Sequence, residues 1–117
     1  MADIAYKIVT KNLWQEAEET GVFKGAPIDI EDGFMHFSTS KQLRETAKKY
    51  FHGQKDLLLV AVNVDNGALA GHWKWDVSRG GALFPHLYVD LPLEEINWVQ
   101  PLPLNENGEH LFPELEA

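Results

Sequence analysis

The strongest constraint on the fold is an unbroken apolar run, Leu57-Leu58-Leu59-Val60-Ala61-Val62, which continues through Asn63 to Val64. A strand that is covered on both faces carries hydrophobic side chains at nearly every position, whereas a half-exposed strand alternates. The run therefore predicts a strand near the centre of a sheet. The Asp65-Asn66-Gly67 signal that follows predicts a turn.

Weaker patterns predict the remaining strands and the irregular segments. Alternation and β-forming residues indicate strands at residues 5–10, 33–38, 72–77, 85–90 and 94–104. The segment 22–31 contains glycine, proline and two acidic residues, which favours a loop. Residues 105–117 are expected to form an irregular tail.

Two helices are expected in the first half of the chain. The first is predicted from Asn12, with Gln15 as its capping partner, through about Thr20, and Gly21 is placed to stop it. The second opens at the Thr39–Gln42 capping pair, ends at Gly53 and has an apolar face made of Leu43, Ala47, Tyr50 and Phe51.

These elements predict an α+β fold. The expected architecture is one compact domain over residues 1–104, with a split or curved, mainly antiparallel β-sheet and two helices, followed by a C-terminal tail. The chain has 117 residues, of which 44% are hydrophobic, and this is enough for one buried core.

Composition also limits the function classes. The formal net charge of −8 disfavours general binding to phosphate backbones, although a local basic pocket for one nucleotide stays open. Without cysteine there is no disulfide and no thiolate site. No apolar run is long enough to cross a membrane and residues 1–7 lack the order of a secretory signal, so a cytoplasmic location and no membrane partner are expected.

Two short stretches carry the residues best suited to chemistry. In the strand around His36, alternation places Phe34, His36 and Ser38 on one face, and Met35, Phe37 and Thr39 on the other. In Phe84-Pro85-His86-Leu87-Tyr88, the same rule places Phe84, His86 and Tyr88 on one face. Two strands would then offer imidazoles and hydroxyls framed by aromatic carbon, as in a small polar site within an apolar wall.

Each of these residues also has a purely structural interpretation. His36 and His86 can be hydrogen-bonded structural residues, Tyr88 can be a core aromatic, and Ser38 or Thr39 can simply cap the following helix. Arg79, in Ser78-Arg79-Gly80-Gly81, either belongs to a hairpin loop or pairs with a phosphate. Trp73 and Trp75 are expected in the core, although one of them could wall a pocket for a flat ring.

Several familiar site patterns are missing. The five histidines show no short ligand spacing, so no metal is expected. No phosphate loop, Gly-x-Gly-x-x-Gly motif or Gly-x-Ser-x-Gly elbow is present, and a hydrolase triad is rejected.

Residues 4–104 resemble the small bacterial family called domain of unknown function 952 (DUF952). The resemblance rests on Asp32-Gly33-Phe34-Met35-His36-Phe37-Ser38-Thr39 and on Phe84-Pro85-His86-Leu87-Tyr88, in that order and spacing. Tyr6-Lys7-Ile8, Trp14, Gln42, Asp56-Leu57-Leu58-Leu59 and Trp75 extend it.

That family is remotely similar to the ADP-ribosyltransferase superfamily, whose split β-sheet fold holds NAD in a cleft. The resemblance implies a fold of that type, with His36, beside Ser38 and Thr39, matching the first motif and His86 with Tyr88 matching a later one. Arg79 would neutralise a pyrophosphate. The superfamily's catalytic Glu has no alignable counterpart, because Asp90, Glu94 and Glu95 lie outside any matching motif.

Three functions are therefore weighed. The first is an NAD- or nucleotide-handling domain that cleaves a glycosidic bond, as a transferase or an NAD glycohydrolase. The alternative is a catalytically inactive module that binds a nucleotide or another small molecule. The third is a structural or interaction protein whose histidines complete buried hydrogen bonds.

Overall fold

A computed structural model of the chain describes residues 4–65, 67–77 and 81–115. The helices and strands follow in the order β1 (Ile4–Thr10), α1 (Lys11–Thr20), β2 (Val22–Phe23), α2 (Pro27–Asp32), β3 (Met35–His36), α3 (Ser40–Tyr50), β4 (Leu57–Asn63), β5 (Trp73–Val77), β6 (Leu83–Leu87), β7 (Leu91–Pro92) and β8 (Trp98–Pro101). Short 3-10 helices lie at Gly67–Leu69 and Leu93–Glu95.

The apolar run forms the central strand, as predicted. β4 lies between β1 and β8 in an antiparallel sheet. Its two faces enter different hydrophobic clusters: Val60 and Val62 pack with Trp14 of α1 on one side, while Leu59 and Ala61 pack with Leu43 of α3 on the other. Cover on both faces is the physical reason for the unbroken hydrophobic pattern.

A second antiparallel sheet, in the order β3-β6-β5, carries both histidine motifs. Met35 pairs with Leu87 and His36 pairs with His86 in its register. Two backbone hydrogen bonds of 2.8 Å between Tyr6 and Ser38 join this region to β1. The two sheets and a small β2–β7 ribbon make one compact α+β domain with antiparallel sheets and, among the described residues, three α-helices.

The prediction of a loop at residues 22–31 is wrong. The segment contributes a short strand and most of a helix, α2, that the prediction of two helices did not include. Its first residues pair with β7, and Pro27 opens the six-residue helix α2. Proline suits this position because backbone N–H groups in the first turn of a helix have no acceptor within the helix, so the N–H group that proline lacks is not needed. Gly33 ends α2 in the left-handed conformation.

Several predicted boundaries shift. Thr10, rather than Asn12, caps α1 by accepting a hydrogen bond from the Leu13 N–H group. The strand predicted at 33–38 is regular only over Met35–His36, since the chain then crosses to β1. The strand predicted at 85–90 is Leu83–Leu87, and a 3-10 helix replaces the start of the one predicted at 94–104. The Thr39–Gln42 capping box is confirmed.

Three further expectations concern the surface and the chain end. Trp75 is 41% exposed, so its expected place in the core is wrong, whereas Trp73 packs against Phe37. Asn66 of the expected turn lies outside the described residues. Beyond residue 104, Phe112 and Leu115 pack against the second hydrophobic cluster. Among the helices of the described ranges, none combines the length and apolarity needed to span a bilayer.

Candidate functional site

A cavity of about 420 Å³ lies among β1, α2, α3 and the two histidine strands. Its polar wall residues are Lys7, Asp29, His36, Ser38, Thr46 and His86. Its apolar wall includes Tyr6, Ile8, Phe37, Leu43, Phe51 and Phe84. A volume of this size, mostly apolar with a few polar groups, is typical of small-molecule sites.

Phe34 joins the two histidine motifs through ring contacts. Its ring stacks on His86 with a centroid distance of 4.4 Å and lies 4.8 Å from His36 and 5.1 Å from Tyr88. The two imidazoles are 5.3 Å apart, edge to face. The alternation predicted for both stretches therefore places these four rings together, because His36 and His86 are direct partners in the sheet register.

His86 is held by a carboxylate on the neighbouring strand. Its Nδ1 atom lies 2.9 Å from Asp76 Oδ2, and the Tyr88 hydroxyl donates to the same oxygen at 2.7 Å. These two bonds, the Tyr88 one foremost, lower the pKa of Asp76. The hydrogen bond between Tyr88 and Asp76 raises the pKa of Tyr88 above its usual 10.0.

This bond fixes the proton on the His86 ring. An ionised carboxylate only accepts hydrogen bonds, so Nδ1 must donate to Asp76. In the neutral ring, Nε2 is then a bare acceptor. Within the described ranges no residue bonds to Nε2, although His86 is only 3% exposed and lines the cavity.

Asp29 forms a second polar cluster that is saturated with donors. It accepts from the Ala26 N–H (2.7 Å), the His36 N–H (3.1 Å), the His36 Nδ1 atom (2.7 Å) and the Lys7 ammonium (2.9 Å). Burial raises the pKa of Asp29, but the bond from His36 and the charge of Lys7 outweigh it and bring the value to about 2.

Lys7 is the buried cation of this cluster. Its ammonium also donates to the His36 carbonyl oxygen at 2.8 Å. Burial lowers the pKa of Lys7, and Asp29 opposes that change. A buried ion pair needs such additional hydrogen bonds, because its mutual attraction alone does not offset the loss of hydration.

Gly25 lets Asp29 reach these partners. Its φ of 110° lies in a region that L side chains rarely adopt, and a Cβ atom there would lie 2.9 Å from the Asp29 Cβ atom. A larger residue would displace the Asp29 side chain. The backbone before α2 is therefore part of the site.

His36 has both ring nitrogens next to carboxylates. Nδ1 lies 2.7 Å from Asp29, and Nε2 lies 3.0 Å from Asp32. Only the doubly protonated ring can donate to both at once. Compared with His86, the ring nitrogens of His36 are already occupied.

The hydroxyl residues of the first motif are also engaged. Ser38 is buried in the cavity wall, with its Oγ atom 3.0 Å from Thr46 Oγ1. The Thr39 hydroxyl accepts from the Gln42 N–H at 3.3 Å, which is the capping role. Tyr88 packs against Phe34 outside the described cavity wall, and Arg79 lies outside the described residues.

Comparison with known proteins gives the family. The family model described as "Protein of unknown function (DUF952)" matches residues 8–99. The chain belongs to the DUF952 family. No curated protein matches the sequence.

Solved structures of another protein support the fold of this DUF952 chain. The X-ray crystal structure of protein CC0527 from Caulobacter crescentus is 41% identical, with a TM-score of 0.84, and the match covers 92% of this chain and 93% of that chain. The solution NMR structure of CC0527 is 42% identical, with a TM-score of 0.80, and covers 91% and 90% respectively.

Sequence reasoning missed the three carboxylates of this DUF952 site, Asp29, Asp32 and Asp76, and the cation Lys7. One signal was available: Lys7 interrupts the otherwise mostly apolar strand β1, and a buried lysine requires a carboxylate partner. Among the described residues, no group of three or more His, Asp or Glu side chains is arranged to hold a metal ion.

Proposed function

We propose that this DUF952 protein binds a small molecule in the cavity and that His86 Nε2 accepts a hydrogen bond from a ligand hydroxyl or N–H group. The observation that carries the proposal is the different use of the two ring nitrogens. Asp76 holds Nδ1, whereas no described residue bonds to Nε2 in the cavity wall. The protein does not enclose Nε2 fully, so a ligand hydroxyl or N–H group in the cavity can reach this acceptor.

NAD or a related nucleotide is the proposed ligand class. Ribose supplies hydroxyl donors for His86 and Ser38, and the aromatic walls suit a flat ring. The remote resemblance to ADP-ribosyltransferases puts NAD first among these ligands. In this proposal Arg79 pairs with the pyrophosphate, Tyr88 lies beside the Asp76–His86 pair, and Thr39 supports the cavity through the cap of α3.

The catalytic form of the proposal is cleavage of the nicotinamide–ribose bond. His86 Nε2 takes a proton from an attacking water molecule, the new bond forms at the ribose carbon, and nicotinamide leaves with the bonding electron pair. The products are nicotinamide, ADP-ribose and a proton. The paired Asp76 stabilises the imidazolium, as a carboxylate behind a catalytic histidine does.

One observation favours the alternative of a binding module without catalysis. An oxocarbenium-like centre calls for nearby negative charge, yet Asp29, the carboxylate in the described cavity wall, is saturated by Lys7 and His36. Glu95, a downstream acid, accepts from the Ala68 N–H instead. The experiment must therefore separate binding from turnover.

Thermal-shift titration tests binding with NAD, ADP-ribose and adenosine as probes. Ligand that binds only the folded state at a hundred times its dissociation constant adds about 2.7 kcal/mol of stability. We expect this for wild type and for the matched control His72→Phe, an exposed histidine away from the cavity. His86→Phe keeps a ring against Phe34 but removes both nitrogens, and the stabilisation should be lost.

Chromatography of the same mixtures for free nicotinamide tests turnover. Release by wild type that stops in His86→Phe supports the catalytic form. Binding without release supports the binding module and rules out catalysis on NAD. If no probe stabilises wild type, the nucleotide proposal is wrong.

A cytoplasmic location, a free small molecule as partner and no general nucleic-acid or membrane partner remain proposals. They rest on the net charge of −8 and on the absence of cysteine from the sequence.

A further inference from the structure

We propose that a second cavity, of about 190 Å³, binds a small phosphate-bearing anion. It lies on the other flank of α3: Leu43, Thr46 and Tyr50 face the cavity already described, whereas Arg44 and Lys48 line the second one. The rest of its wall is formed by Ala47, His52, Glu109, His110 and Phe112.

The positive charges on α3 favour binding of an anion. The chain carries a net charge of −8, yet α3 holds four of its ten Lys and Arg residues. Arg44 and Lys48 are one helical turn apart, where like charges repel. Neither forms a salt bridge within the described ranges. An anion bound between them would therefore reduce the repulsion between the Arg44 and Lys48 charges.

The Arg44 guanidinium is already positioned. It lies over the Phe112 ring, with its carbon 5.1 Å from the centroid. Within the described ranges no hydrogen bond involves the guanidinium, so its N–H groups are available to two oxygens of a phosphate. Phe112 thus orients the cation without neutralising it.

The opposite wall is a turn fixed by its own hydrogen bonds. Asn105 Oδ1 accepts from the N–H groups of Asn107 (2.8 Å) and Glu109 (3.0 Å). His110 Nε2 lies 3.0 Å from the Gln54 carbonyl oxygen, which can only accept, so Nε2 donates. The Gly53 N–H group donates to the Gly108 carbonyl oxygen at 3.1 Å and brings His52 beside this turn.

Glu109 predicts an effect on anion affinity that is opposite to that of Arg44 and Lys48. Its carboxylate belongs to the wall and accepts from the Asn105 side chain at 3.2 Å. It opposes an anion, so its neutralisation should tighten binding while removal of the cations should weaken it. A glutamine there keeps the acceptor for Asn105.

NMR titration of the full chain with inorganic phosphate, at constant ionic strength, tests the site. We expect amide shifts around residues 44–48 and 108–112 in wild type. The variant Arg44→Gln/Lys48→Gln should bind at least about fivefold more weakly, since two charge-assisted contacts are lost. Glu109→Gln should bind more tightly.

Lys41→Gln/Lys49→Gln is the matched control, because it removes the same charge from the same helix outside the cavity wall. Unchanged affinity in this control supports the proposal. Equal weakening in both double variants, or no localised shift in wild type, overturns it. If the cavity variant does not fold, as judged by its amide spectrum, the single Arg44→Gln variant and the sign of the Glu109→Gln effect decide.

Discussion

His36 and His86 are partners on neighbouring strands, and each has an aspartate near Nδ1, at 2.7 Å and 2.9 Å. Their burial is reversed. The His36 side chain is 33% exposed and its Asp29 partner 1%, whereas the His86 side chain is 4% exposed and its Asp76 partner 38%.

Because of this difference in burial, the His36–Asp29 and His86–Asp76 pairs have different roles. A buried carboxylate needs hydrogen-bond donors for its oxygens. The donors to Asp29 come from Lys7, Ala26 and His36, so this carboxylate links β1, the start of α2 and β3. An exposed carboxylate has no such requirement, so Asp76 can orient the imidazole of His86, whose Nε2 atom bonds to no described residue. The same residue pair is structural in one case and suited to chemistry in the other.

The largest expected difference is in stability. Asp29→Ala leaves the buried Lys7 ammonium without its carboxylate, and breaking a buried ion pair in this way costs about 3–5 kcal/mol. Asp76→Ala removes an exposed carboxylate and should cost much less. Urea unfolding of both variants measures the difference. Equal losses would contradict the structural assignment of Asp29.

The second prediction concerns acid. The pKa of Asp29 is lowered from 3.8 to about 2, so its ionised form is favoured in the folded protein. The stability it contributes is complete above about pH 5 and is lost as the pH falls through about 2, by about 2 kcal/mol in all. Unfolding free energies of wild type and Asp29→Asn across this range should differ by that pH-dependent amount.

Salt separates the two aspartates in the same measurement. The pKa of Asp76 is also lowered, through its bonds from Tyr88 and His86, but its exposed charge is screened by ions. In about 1 M NaCl the contribution of Asp29 should persist and that of Asp76 should shrink. A strongly salt-dependent Asp29 contribution would mean that its carboxylate is open to water.

The parts of the fold that the sequence predicted depend on short-range patterns. The central strand follows from the run at Leu57–Asn63, and the start of α3 follows from the Thr39–Gln42 capping pair. The shared face of His36 and Phe34 follows from alternation. Each is decided by residues within one element.

The parts it missed depend on contacts between distant residues. Asp29 lies in a segment whose glycine and proline favour a loop, and its role appears only when Lys7 of β1 meets it. Asp76 reaches His86 because β5 and β6 pair, a register that residues 78–81 do not reveal in the sequence. Pattern alone therefore located the histidines but not the carboxylates that distinguish them.

The third prediction concerns protons on the rings. Nitrogen-15 NMR should show the Nδ1–H tautomer for neutral His86, since Asp76 accepts from Nδ1. His36 should carry a proton on Nδ1, since that atom lies 2.7 Å from the ionised Asp29. Asp76→Ala should abolish the tautomer preference of His86 and leave His36 unchanged. The Nε2–H tautomer in wild-type His86 would contradict its role as an acceptor.

The smallest expected effect is at Tyr88. The bond to Asp76 raises the pKa of the Tyr88 hydroxyl above 10.0, so the stability from this bond is present below pH 10 and disappears as the pH rises through the folded value. Ultraviolet titration should show this pKa falling towards its ordinary value in Asp76→Ala, and Tyr88→Phe identifies the affected signal. Because Asp76 keeps its bond to His86 in Tyr88→Phe, that variant should retain the Nδ1–H tautomer and the ligand affinity of wild type. Loss of either would show that Tyr88 holds the Asp76 carboxylate in place for His86, and the exposed pair would then be a three-residue unit.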